Sequence, residues 1–328
     1  MSMKPGMSAL PRASKAFEKN VWADFVELLC LVSKDKEISL SDLVEVARKE
    51  DPEQSERGDQ GSAENEDLFR QQFSDVFRYL FSRKQTFREF YPFSFVDEDT
   101  ICVEQVPLSS GQKLYLFLLY ASNLSRFTKS DQARLTKDFE ALSKAVIKLV
   151  FPQFNVEIFG TASQEGEPFH GGNVFDRLQR LSQYLNTTLS DAALKNPRYR
   201  QAGGDAGIDL VGFAQIEAAG SHAPFVPTLF AQCACSVDEW KDKQFSIQYE
   251  KISKKFSNLA SYCEFIIVPF SLRGTDGSWS YTDLDRIVVI PIDRVRFLHI
   301  ISLYGESFSF FENNDAYALV TDSLEEII

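Results

Sequence analysis

Residues 203–213, GGDAGIDLVGF, and residues 228–236, TLFAQCACS, each set one polar side chain in a row of apolar ones: Asp209 in the first, Gln232 in the second. Both runs have the length and apolar character of buried strands. Side chains alternate across a strand, so Asp209, Val211 and Phe213 share one face, while Gln232 and Ala234 lie on the face opposite Cys233 and Cys235. If the two strands are neighbours, Asp209 and Gln232 meet at one end of a sheet. A carboxylate buried there is costly unless it is paired or binds a cation, and its oxygens suit a hard ion such as magnesium.

Working outward, the chain alternates helix and strand on both sides of this pair. Residues 130–152 show apolar side chains at helical spacing (Leu135, Phe139, Leu142, Val146, Leu149), with Ser130 as the expected cap. FNVEIFGT then reads as a strand and NVFDRLQRLSQYL as an amphipathic helix. After the pair, SVDEWKDKQFSIQYEKISKKFSNL reads as one long helix, CEFIIVPF and RIVVIPI as strands, and DRVRFLHIISLY as a last helix. Such alternation indicates an α/β sheet covered on at least one face. Before about residue 128 the pattern is mainly helical, interrupted by an acidic linker near 50–67 with almost no apolar residue and by a strand pair in SFVDEDTICVEQVP. The expected division is therefore 1–128, a mainly helical N-terminal region, and 129–328, an α/β domain.

GGDAGIDLVGF followed by FAQC resembles the core of the PD-(D/E)XK nucleases, the restriction-endonuclease-like superfamily, and most closely its branch with glutamine in the second motif. The resemblance covers about residues 131–300. It implies a restriction-endonuclease-like mixed sheet core with helices. In that family an aspartate on the second strand and an acidic or glutamine residue on the third hold a divalent metal. Carried over, Asp209 is the metal ligand and Gln232 the second-motif group, contributing its carbonyl oxygen. A further glutamate on the preceding helix matches Glu140. The family places a lysine two residues after the second-motif group, where this chain has Ala234. Either the site is inactive or the ammonium comes from the next helix, from Lys243 before Lys241, each on a long flexible stem.

The implied activity is divalent-metal-dependent endonuclease chemistry with Mg2+ or Mn2+, on DNA in preference to RNA, in bacterial restriction or antiviral defence. The alternative is a catalytically degenerate nuclease fold serving as a binding or scaffolding subunit. Composition constrains both. The formal charge of -12 repels a polyanion at long range, so nucleic-acid binding requires locally gathered cations or an oligomer or associated protein subunit. The local candidates are Lys241, Lys243, Lys251, Lys254 and Lys255 on the expected long helix, and Lys195, Arg198 and Arg200 just before the motif.

The cysteines, Cys30, Cys102, Cys233, Cys235 and Cys263, are odd in number and scattered, which argues against a disulfide framework and for a reducing, cytoplasmic setting. Zinc needs about four ligands, and CAC has no second cysteine pair or histidine cluster beside it, so its sulfurs read as core packing. No secretory signal is evident at the start, and the longest apolar run, LYLFLLYASNL, is about half of a membrane span. The expected protein is soluble, with no membrane partner.

Overall fold

The computed structural model describes residues 5–6, 19–50, 59–104, 107–201, 206–214, 216, 225–279 and 287–304. The architecture is mixed α/β, with a five-stranded sheet, flanking helices and a helix ahead of the first strand. The chain divides into two compact units. One takes the described residues of Met1–Ala133 and Phe270–Ser280, the other those of Arg134–Pro269 and Tyr281–Glu306.

The first unit contains α1 (Lys19–Val32), β1 (Glu37–Ser39), α2 (Leu40–Glu50), α3 (Asp59–Phe87), β2 (Phe93–Asp97), β3 (Thr100–Val103) and α4 (Ser110–Ala121). Its three strands form a small antiparallel sheet in the order β1-β3-β2. Ser39 caps α2: its Oγ accepts from the Asp42 N–H at 3.1 Å, and the Asp42 carboxylate accepts from the Ser39 N–H at 2.8 Å. Ser109 and Gln112 form the same reciprocal box at the start of α4. The acidic stretch expected to be a linker through Asp67 is helical from Asp59 onward, while 51–58 lie outside the described residues. Absence of apolar residues does not by itself signal a loop, and Gln60, Ala63 and Glu64 are good helix formers.

At the centre of this unit lies a buried ionic cluster. Arg83 Nη1 is 2.7 Å from Asp24 Oδ1 and 2.8 Å from Glu27 Oε2. The Tyr91 and Tyr115 hydroxyls each donate to Glu27 Oε1 at 2.9 Å, and the Ser122 hydroxyl donates to Asp24 Oδ2 at 2.8 Å. Burial, then the Glu27 carboxylate, holds the Tyr91 phenol well above its ordinary range.

The second unit holds the body of α5 (Lys129–Val150), then β4 (Asn155–Ile158), α6 (Val174–Tyr184), α7 (Asp191–Leu194), α8 (Arg198–Gln201), β5 (Leu210–Phe213), β6 (Thr228–Cys233), α9 (Trp240–Lys243), α10 (Tyr249–Ile252), β7 (Cys263–Ile267), β8 (Ile290–Ile292) and α11 (Arg294–Tyr304). The sheet order is β4-β5-β6-β7-β8. The pairs β4/β5 and β5/β6 are antiparallel, whereas β6/β7 and β7/β8 are parallel. The strands β5 and β6 are buried along their whole length, as their unbroken apolar runs require. At α5 the cap is Thr128 rather than Ser130: Thr128 Oγ1 accepts from the Asp131 N–H at 3.3 Å.

The single long helix expected after β6 is broken into four short turns: α9, a 3-10 turn Gln244–Ile247, α10, and a 3-10 turn Ser253–Lys255. One side chain from outside the segment interrupts it. Glu264 Oε1 takes the Tyr249 N–H at 2.7 Å, a donor a continuous helix would use internally, and Gln248 turns extended with ψ 143. Gln244 is fully buried, with Oε1 accepting from the Val288 N–H at 3.0 Å. Its lysines therefore form no single stripe, and Lys255 is buried rather than presented to a phosphate backbone.

Candidate functional site

Asp209 stands one residue before β5 and is held in the sheet from both sides. Its N–H donates to the Ala231 carbonyl at 3.1 Å, and its own carbonyl accepts from the Phe159 N–H at 2.8 Å. The register pairs Leu210 with Ala231, which brings Asp209, just ahead of the second strand of the sheet, beside Gln232 on the third. Gln232 Nε2 donates to Asp209 Oδ2, and the Cys233 N–H donates to the same oxygen at 2.7 Å. Both side chains are buried, Asp209 to 5% exposure and Gln232 to 4%. The carboxylate is thus removed from water but met by donors, as its burial demands.

The other end of the Gln232 amide is turned away from Asp209. Its Oε1 accepts from the Ser246 hydroxyl at 2.9 Å. Ser246 lies on the Gln244–Ile247 turn, and its Oγ is also 2.9 Å from the Gly207 carbonyl and 2.7 Å from the Lys243 carbonyl. Gly207 has φ +77, and a Cβ there would come within 2.6 Å of Ser246 Cβ. The position needs glycine both for its backbone and for the approach of the serine. The family resemblance implies a Gln232 oxygen serving a metal; in this arrangement the amide nitrogen faces Asp209 and the oxygen faces Ser246.

The opposite face of β6 meets α5, which carries Glu140 and Ser143, both buried and one helical turn apart. Burial pushes the Cys233 thiol well up, the charges of Asp209 and then Glu140 push it further, and the Ser143 hydroxyl works against the rise. Burial also raises the Cys235 thiol; Lys243 opposes this, while Glu140 and Asp209 add to it. Asp209, Glu140 and Lys243 therefore all lie within electrostatic reach of the end of β6. Lys241 is placed differently, with its ammonium 5.7 Å from the centre of the Trp240 ring. Of the upstream basic residues, Lys195 pairs with Asp191 at 3.6 Å and Arg200 stacks on Phe175 at 4.8 Å.

Among the described residues, no group of three or more histidine, cysteine, aspartate and glutamate side chains is arranged to hold a metal ion. The Asp209–Gln232 contact itself holds a carboxylate and an amide, oxygen-bearing groups of the kind a hard divalent cation takes, while Glu140 lies with Cys233 toward the opposite face of β6. Ser246, Ser143 and Gly207 were not singled out by the sequence. Ser246 carried no signal, because QFSIQ reads as ordinary helix; the glycine-rich turn before Asp209 was the only hint of Gly207. Among the described residues, no helix is long and apolar enough to cross a membrane. No family model, curated protein or solved structure matches this chain.

Proposed function

We propose that the second unit is a restriction-endonuclease-like, divalent-cation-dependent nuclease that hydrolyses phosphodiester bonds, of DNA in preference to RNA. One observation carries the reading: the buried contact between Asp209, just ahead of the second strand, and Gln232 on the third, at the end of a mixed sheet. Glu140 on the preceding helix, with its charge felt at the same strand end, adds support.

When bound, Mg2+ or Mn2+ would polarise a phosphoryl oxygen and acidify an attacking water. Asp209 and Glu140 supply anionic ligands and Gln232 a neutral oxygen once its amide is turned. Lys243, which replaces the lysine absent at Ala234, contributes positive charge where negative charge develops on the phosphate. Lys241 is the less suited of the two, given its place over Trp240. With a net charge of -12, the chain relies on a second copy or an associated subunit for affinity toward nucleic acid. A role in bacterial restriction or antiviral defence rests on fold-level analogy.

A second reading, a degenerate nuclease fold used as a scaffolding subunit, is favoured by Ala234 and by the closed Asp209–Gln232 hydrogen bond. Cleavage of plasmid, linear DNA and single-stranded RNA with magnesium or manganese decides between them. The nuclease reading expects metal-dependent cutting that falls roughly a hundredfold or more in Asp209→Ala and about tenfold or more in Lys243→Ala. Absence of cutting on every substrate, with and without partner subunits, supports the scaffold.

A further inference from the structure

We propose that Ser246 is a positioning residue that sets which end of the Gln232 amide faces Asp209, and so makes the site able to accept a cation. The inference rests on the cation-dependent reading of the site above. Ser246 Oγ has three acceptor oxygens within reach, on Gly207, Gln232 and Lys243, at 2.9, 2.9 and 2.7 Å, and a hydroxyl has one proton to give. It also has lone pairs that can accept. With the amide as it stands, the hydroxyl is crowded by acceptors, and Asp209 receives the amide N–H.

A half turn about the terminal bond of Gln232 reverses this. Nε2 then donates to Ser246 Oγ, the serine proton goes to the carbonyl of Lys243 or Gly207, and Oε1 comes to face the Asp209 carboxylate. In the turned state the serine both accepts from the amide N–H and donates its one proton to a carbonyl. The facing oxygens of Gln232 and Asp209 repel each other unless a cation lies between them. Without a cation the charge-assisted bond to Asp209 holds the amide in its present orientation, since such bonds are about twice as strong as neutral ones. Ser246 thus provides the acceptor that the displaced N–H needs. Gly207 makes this possible by letting the serine approach, because any side chain there would occupy its place.

The test is a cycle of four proteins, full-length: wild type, Ser246→Ala, Gln232→Glu and the double variant. Mn2+ affinity is read from the free-ion electron paramagnetic resonance signal, with thermal unfolding of the metal-free proteins as the check on folding. In Ser246→Ala the turned amide would leave a buried N–H unpaired, so Mn2+ binding is expected to weaken about tenfold or more. In the Gln232→Glu background both ends of the side chain are oxygens, and Ser246→Ala is expected to change affinity by less than about twofold, within the scatter of uncoupled changes. A second readout is the Gln232 side-chain N–H2 resonance pair, assigned by its loss in Gln232→Glu, which should move on adding Mg2+ to wild type.

Wild type that binds Mn2+ while Ser246→Ala binds equally well, or loses the same factor in both backgrounds, overturns the role of Ser246 and leaves the nuclease reading standing. A wild type that binds no Mn2+ at millimolar concentration overturns both.

Discussion

A buried carboxylate must be met by donors, and this chain meets three of them in two different ways. Asp24 and Glu27 converge on Arg83, and two tyrosine hydroxyls and a serine take further lone pairs. Asp209 instead takes a side-chain amide and a backbone N–H. The first solution is built on a planar, permanently charged fork and is suited to holding helices together. The second leaves the carboxylate in contact with neutral donors, one of them an amide whose oxygen end is held by Ser246. At Arg83 the consequence for stability is large. Replacing it by methionine leaves Asp24 and Glu27 as buried charges without their cation, which is expected to cost about 3–5 kcal/mol. Urea unfolding of Arg83→Met against wild type measures this, and a loss under about 1 kcal/mol would mean that water reaches the cluster.

At the level of elements, strands and long amphipathic helices were legible because their patterns are local. The runs around Asp209 and Gln232 gave β5 and β6, and the alternation rule placed Gln232 and Cys233 on opposite faces, toward Ser246 and α5 respectively. The segment after β6 departs from one continuous helix because its partners lie beyond it: Glu264 takes the Tyr249 N–H, and the buried Gln244 side chain accepts from the distant Val288 N–H. The same break hid Ser246, whose importance comes from the turn it occupies. It also put Lys255 inside, where burial first and Lys251 second lower its pKa from 10.5 to about 8. A lysine whose folded pKa is depressed holds its proton less well than in the unfolded chain. Between about 8 and 10.5 the unfolded state therefore binds more protons, and stability rises with pH across that window. Chemical denaturation at a series of pH values should show wild type gaining up to about 3 kcal/mol relative to Lys255→Met as pH climbs from 7.5 to 10.5. A flat difference would place the ammonium in water.

For the whole molecule, the two units each carry their own buried thiols, so the chain reports on its own opening. Cys30 lies in the core of the first unit; Cys233 and Cys235 lie at the end of β6 in the second. Cys102 is half-buried in the first unit and Cys263 is exposed in the second, and all five are free thiols. A thiol must be both reachable and ionised to react, and burial opposes both for Cys30, Cys233 and Cys235. In native buffer near neutral pH, a thiol reagent is expected to modify Cys263 first, Cys102 more slowly, and the buried three only through opening. Along a urea gradient, peptide mass spectrometry then separates the units: Cys30 becomes reactive as the first unfolds, Cys233 and Cys235 as the second does. The strand-end thiols should appear together, because a single sheet holds them. Modification of Cys233 in native buffer at the rate of Cys263 would show that the end of β6 is open to solvent, and the buried Asp209–Gln232 contact would then lose its dry surroundings.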